Sequence, residues 1–215
     1  MPTITAIEEQ KKNKNRFSIF IDGEFFKGVM QDVIFKLNLF KGKEVNQNEL
    51  AKILESEEFE YAKSLALKYL SIRQRTSFEI QKYLKKKNIE EATTKKVIQA
   101  MKTLGLINDE EYSKQYALEL IKKGKAGYKL ILNKLRNRGI KTENARDTLK
   151  ELLNEDEELQ IALNLAKKKL KLIAHKEKQK KQKSINDCLI RKGFNFHIVN
   201  TVMNKLFKAH NDSDS

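Results

Sequence analysis

The chain has 215 residues, 44 of them basic and 29 acidic, for a formal net charge of +15. One proline, eight glycines and a single cysteine, Cys188, exclude glycine-rich architectures, an intramolecular disulfide and a cysteine-cluster metal site. No apolar run approaches the roughly 20 residues needed to span a bilayer, and the N-terminus lacks the basic-then-apolar order of a signal peptide, so a cytoplasmic protein is expected.

The first 60 residues differ from the rest. Arg16 to Phe20 and then Phe25-Phe26 flank Ile21-Asp22-Gly23-Glu24. Asp-Gly between β-favouring runs predicts a hairpin, because both turn residues tolerate positive φ. Thr3 to Ile7 adds a candidate strand. A short helix is expected from Met30 to Leu39, ending near Gly42. A second is expected from Gln47 to Ser56, with Asn46 as N-cap and Glu49 closing a capping box. A hairpin alone is marginal, so neighbouring helices must cover its apolar face.

From residue 57 onward the apolar spacing is helical, and the pattern repeats. Tyr61 to Ile89 aligns with Tyr112 to Ile140 without a gap: Ala66 lies over Ala117, Ile80 over Ile131, Leu84 over Leu135. A weaker third copy matches at Ala162, Leu165, Ala166 and Leu170, and again at Leu189, Ile190, Gly193 and Phe194. Each copy reads as three helices. The first helices are expected at 57–71, 109–122 and 156–172, the second at 77–87, 127–138 and 180–192, the third at 91–104, 142–153 and 196–208. Asn108 and Thr76 read as N-caps, Gly105 and Gly139 as helix C-terminal residues with positive φ.

The expected fold is therefore predominantly all-α. Tandem three-helix repeats would stack into an elongated curved solenoid, because a unit of this size buries little alone. A small N-terminal β-hairpin with helices, residues 1–56, precedes them. The repeats span 57–107, 108–154 and a divergent 155–208, and 209–215 read as a disordered tail.

The charge has a place in this repeat. The second helices end in Lys85-Lys86-Lys87, then Lys134, Arg136 and Arg138, then Arg191 and Lys192. Their starts carry Arg73 and Arg75, then Lys122, Lys123 and Lys125, then the lysines of His175 to Lys183. A recurring cluster makes a stripe that suits a linear polyanion. A lysine-rich solvent face is the ordinary alternative, and the preference for Lys over Arg has a compositional explanation. No base-reading motif is present, so nucleic-acid contacts would be to the backbone.

Enzyme chemistry finds little support. Walker, Rossmann and nucleophile-elbow motifs are absent. The carboxylate pairs Glu8-Glu9 and Glu57-Glu58 and the run Asp109-Glu110-Glu111 read as caps at helix starts. Cys188 and His197 read as structural residues.

These features in combination resemble the RecX family, bacterial regulators of the recombinase RecA. The matching stretches are Tyr69-Leu70, Arg73 to Ile80, Tyr83-Leu84, Leu104 to Tyr112, Lys123 to Gly127 and Leu135 to Ile140. Residues 1–56 resemble the extension of the longer Gram-positive members. Family members usually have glycine where this chain has Asn88.

The resemblance implies a non-enzymatic modulator without a cofactor, monomeric when free and independent of membranes. It would lie in the groove of the RecA–single-stranded DNA filament and reduce ATP hydrolysis and strand exchange in DNA repair and recombination. Single-stranded and double-stranded DNA would be met through backbone contacts. Recurrence together with the family picture nominates Arg73, Arg75, Lys85, Lys87, Lys125, Arg136 and Arg138 as contacts to the filament. A sequence-independent DNA-binding repeat protein without a recombinase partner is the alternative, and a scaffold for another acidic protein is a third.

Overall fold

A computed structural model describes residues 1–207. The expected tail at 209–215, residue 208 and His210 lie outside the described residues. The chain divides into two compact units, Met1–Ile107 and a second beginning at Asn108.

In the first unit, β1 (Ile4–Gln10), β2 (Asn13–Ile21) and β3 (Glu24–Met30) form an antiparallel sheet in the order β1-β2-β3. Asp22 and Gly23 both take positive φ, 49° and 87°, the geometry of a two-residue hairpin turn whose twist matches its strands. Ile4, Ile19 and Val29 bury one side of the sheet against Val33 of α1 (Gln31–Lys36) and Ile53 of α2 (Gln47–Leu70). This is the cover that a small sheet requires.

Helix α2 departs from expectation. Two helices, 47–56 and 57–71, were expected with a boundary between them; one helix of 24 residues runs through. The Asn46–Glu49 capping box starts it as anticipated, but no Gly or Pro interrupts Gln47 to Leu70, so nothing ends the first half. Glu57 and Glu58 therefore sit in mid-helix and cap other elements. Glu57 accepts a hydrogen bond from the Met30 amide, at the start of α1, and pairs with Arg16 at 2.8 Å. Glu58 accepts from the Glu90 amide and the Thr93 hydroxyl, both at 2.9 Å, at the start of α4 (Glu91–Thr103). Adjacent carboxylates thus tie α2 to two helix N-termini, where a negative charge is favourable. Burial pushes the Glu57 carboxyl up, against the Met30 amide and Arg16, which favour its ionised form.

Helix α3 (Ser77–Lys85) joins α2 and α4 as the first three-helix repeat, around Ala62, Ala66, Ile80, Leu84, Val97 and Met101. Thr76 and Glu79 complete a capping box at its start.

The second unit holds two more repeats, α5 (Asp109–Lys122), α6 (Tyr128–Asn137) and α7 (Thr142–Leu152), then α8 (Glu155–Leu172), α9 (Lys178–Arg191) and α10 (Phe196–Phe207). Ala117, Ile131, Leu135 and Leu149 fill one core; Ala162, Ile185, Leu189 and Val199 fill the next. The fold is thus a small sheet followed along the chain by tandem three-helix units. The residues after the three second helices share one conformation: Asn88, Gly139 and Gly193 have φ of 58°, 79° and 79°. Asn88 fills the expected glycine position in the left-handed region, which Asn tolerates better than most residues.

The start of α6 is held by the third repeat. The Gly127 amide donates to the Lys192 carbonyl and the Lys129 amide to the Gly193 carbonyl, each at 2.9 Å. Between them the Tyr128 amide donates to the Glu158 carboxylate at 2.8 Å. Three amides at one helix start, which lack intrahelical partners, are satisfied from α8 and α9.

Candidate functional site

The nominated cations fall into two classes. Arg73, Lys85, Lys87, Lys125 and Arg136 are exposed. Arg75 and Arg138 are half-buried against tyrosines.

In the first repeat, the α2–α3 turn places Arg73 and Arg75 around one carboxylate. Arg73 reaches Glu79 at 2.7 Å and the Gln74 carbonyl at 3.0 Å. Arg75 lies 3.7 Å from the same Glu79 oxygen. Its guanidinium sits 4.1 Å from the centre of the Tyr69 ring. Tyr69 in turn stacks on Tyr83 at 4.1 Å and 13°, and the Lys87 ammonium lies 5.9 Å from the Tyr83 ring centre. Arg75, Tyr69, Tyr83 and Lys87 therefore form a continuous series of cation–ring and ring–ring contacts, which fixes the orientation of the charges. Lys85 stands near Glu91, whose carboxyl is held below its ordinary range by Lys95 first and by Lys85 more weakly.

The second repeat solves the same problem differently. Arg138 occupies the position equivalent to Lys87. Its guanidinium is 4.9 Å from the Tyr116 ring centre and 5.9 Å from that of Tyr112, and it donates to the Tyr112 hydroxyl. Tyr112 is buried, whereas Tyr61 at the equivalent place is exposed, with Arg16 5.5 Å from its ring centre. Sequence alone gives Tyr69, Tyr83 and Tyr116 no cationic neighbours. The signal was present as tyrosine rather than leucine at positions that pack beside basic residues.

The third repeat concentrates charge. Between Lys167 and Lys183 there are nine lysines and one acid, Glu177. Lys180 pairs with Glu177 at 3.0 Å. The lysines ending α8 suit the negative end of its dipole, but those in the first turn of α9 oppose the positive end. The lysines of α9 thus sit where helix stability does not favour them.

Catalytic candidates gain no support. Cys188 is buried. His197, read as structural, is exposed instead and lies 3.1 Å from Glu155; α10 turns it outward while Ile198 and Val199 take the core. Among the described residues no group of three or more His, Cys, Asp or Glu side chains is placed to hold a metal ion, and no helix is long and apolar enough to cross a membrane.

Comparison with known proteins matches this arrangement along the chain. Residues 2–46 match the model of the regulatory protein RecX N-terminal domain, 62–100 the first RecX three-helix domain and 155–203 the third. Regulatory protein RecX of Clostridioides difficile (strain 630) is 32% identical over 206 residues, covering 96% of both chains. That of Staphylococcus aureus (strain JH9) is 32% identical over 96% of this chain and 75% of its own. A crystal structure of regulatory protein RecX superposes with a TM-score of 0.76 at 26% identity, covering 95% of this chain and all of that one. The crystal structure of RecX from Lactobacillus salivarius gives 0.64 at 28% identity over 70% of this chain and 97% of its own. Sheet, repeats and relatives agree over nearly the whole length, and the chain belongs to the RecX family of regulatory proteins.

Proposed function

We propose that this protein binds the RecA–single-stranded DNA filament and modulates it, chiefly by lowering ATP hydrolysis and strand exchange. Family membership supports a regulatory role directed at RecA. The observation that carries the finer reading is the recurrence of cations at equivalent helix ends, Lys85 and Lys87 in one repeat and Arg136 and Arg138 in the next, with Lys87 and Arg138 both set against tyrosine rings. Such sites are individually weak, but several on one chain raise occupancy on a repeating partner. Contact with phosphates makes binding weaken as salt rises.

The test is recombinase ATP hydrolysis on single-stranded DNA, titrated with this protein. Dose-dependent inhibition at sub-saturating ratios is expected. Full ATPase activity at saturating protein contradicts the reading. A second reading, DNA binding without a recombinase partner, is favoured by the lysine density of 167–183. It predicts equal, salt-sensitive affinity for naked DNA and no effect on a preformed filament.

A further inference from the structure

The basic turns of the first two repeats lead into equivalent helices but differ in backbone, Gly124 being left-handed at φ 60° in the second where the first has Arg73, and they differ in what they expose. Thr76 and Gly127 are the N-caps of α3 and α6, and Ser77 and Tyr128 begin those helices. In that register Ile72 corresponds to Lys123 and Phe78 to Lys129. Ile72 is 73% exposed and Phe78 43% exposed. Where the second repeat shows solvent two lysines, the first shows it two large apolar side chains.

The arginines between them are also treated differently from a phosphate site. Glu79 bridges Arg73 and Arg75, which reduces the field available to a polyanion. Arg75 is further committed to the Tyr69 ring. A surface for DNA backbone would gain from lysines and lose from a carboxylate at its centre. Exposed Ile and Phe beside oriented arginine are instead the composition of a protein–protein contact, where aromatic and Arg side chains anchor binding.

We propose that the α2–α3 turn of the first repeat, with Ile72, Arg73 and Phe78 at its surface, docks on a protein partner that offers an apolar patch flanked by carboxylates. The proposal rests on the function read above and gives this turn to the protein component of the filament. Arg73, whose side chain is 42% exposed, presents its guanidinium at the surface beside Ile72 and Phe78 as a donor for the carboxylates, and Ile72 and Phe78 supply area that DNA backbone would leave wet. The equivalent lysine turn of the second repeat has no such anchor.

The full-length protein carrying Ile72→Lys and Phe78→Lys tests this, because the pair copies the second repeat and adds two positive charges. Its affinity is measured for the RecA–single-stranded DNA filament and for naked single-stranded DNA. At least a tenfold loss on the filament, with naked-DNA affinity unchanged or higher, is expected. Unchanged or tighter filament binding overturns the proposal, as does an equal loss on both, which would make the pair a base-contacting surface. Ile72→Lys alone gives the same signs at smaller size if Phe78→Lys lowers the melting temperature, since Ile72 has little packing to lose. Wild-type protein that fails to bind the filament overturns the proposed function and this surface together. Wild type that binds while the variant binds equally overturns the surface alone.

Discussion

The Lys129 amide donates to the Gly193 carbonyl at 2.9 Å, joining the start of α6 to the end of α9. A Cβ on Gly193 would lie 2.3 Å from the Leu130 backbone nitrogen, and φ there is +79°. Both the close approach and the left-handed backbone require glycine. Gly193→Ala should cost at least about 2 kcal/mol, from the conformation and the collision together. Gly105→Ala is the control. Its φ is +69° but a Cβ would meet nothing within 4 Å, so it should lose about 1 kcal/mol. Denaturant titration of the two variants separates packing from backbone conformation.

Asn88 makes the complementary prediction. It holds φ +58° at the position where the other repeats have Gly139 and Gly193. Asn88→Gly removes a conformational penalty and adds unfolded-state freedom, so stability should change by less than about 0.5 kcal/mol. Asn88→Val puts a β-branched residue into the left-handed region and should lose about 1–2 kcal/mol. Thermal melts of both variants provide the check.

What sequence could read follows from distance along the chain. The Asp22-Gly23 turn, the Asn46–Glu49 and Thr76–Glu79 boxes and the left-handed Gly105 and Gly139 all depend on residues within a few positions, and each is present. The repeat was legible because its apolar residues recur in register. The role of Glu57 and Glu58 was not, since it depends on Met30 and Glu90, far away in sequence. The packing of Gly127 and Gly193 escaped for the same reason. For the site, recurrence located the basic turns but could not show that Arg75 and Arg138 lie against tyrosine rings. Ring contacts between helices leave no short-range signature.

Glu158 couples the second unit to pH. Burial pushes its carboxyl above the ordinary value of 4.5, opposed by the Tyr128 amide and reinforced by Glu155. The folded state therefore keeps this proton to higher pH than the unfolded chain. The contribution of this group to stability falls as pH rises from about 4.5 through the folded pKa, and the cost of the buried charge is complete above it. Glu158→Gln keeps an oxygen for the Tyr128 amide and removes the charge. Its melting temperature should match or exceed that of wild type at neutral pH, with the advantage shrinking as pH falls towards 4.5. Glu158→Ala leaves the Tyr128 amide unpaired and should lose about 1–3 kcal/mol at either pH.

Charge reversal at the nominated cations should split by burial. Arg136 is exposed on α6, so Arg136→Glu should change stability by less than about 0.5 kcal/mol. Any loss of ATPase inhibition by that variant then reports the filament contact itself. Arg75→Glu places a carboxylate beside Glu79 and removes the cation from the Tyr69 ring. The loss of the ring contact alone is worth about 0.5–2 kcal/mol, and the new like-charge pair adds to it. Arg138→Glu similarly strips Tyr112 and Tyr116 of their cation. Arg75→Glu and Arg138→Glu should therefore melt at lower temperature than wild type, whereas Arg136→Glu should not. Inhibition normalised to folded protein, measured with circular dichroism melts on the same samples, distinguishes contact from scaffold. Equal melting temperatures for all three variants would mean that the tyrosine contacts of Arg75 and Arg138 contribute nothing to the fold.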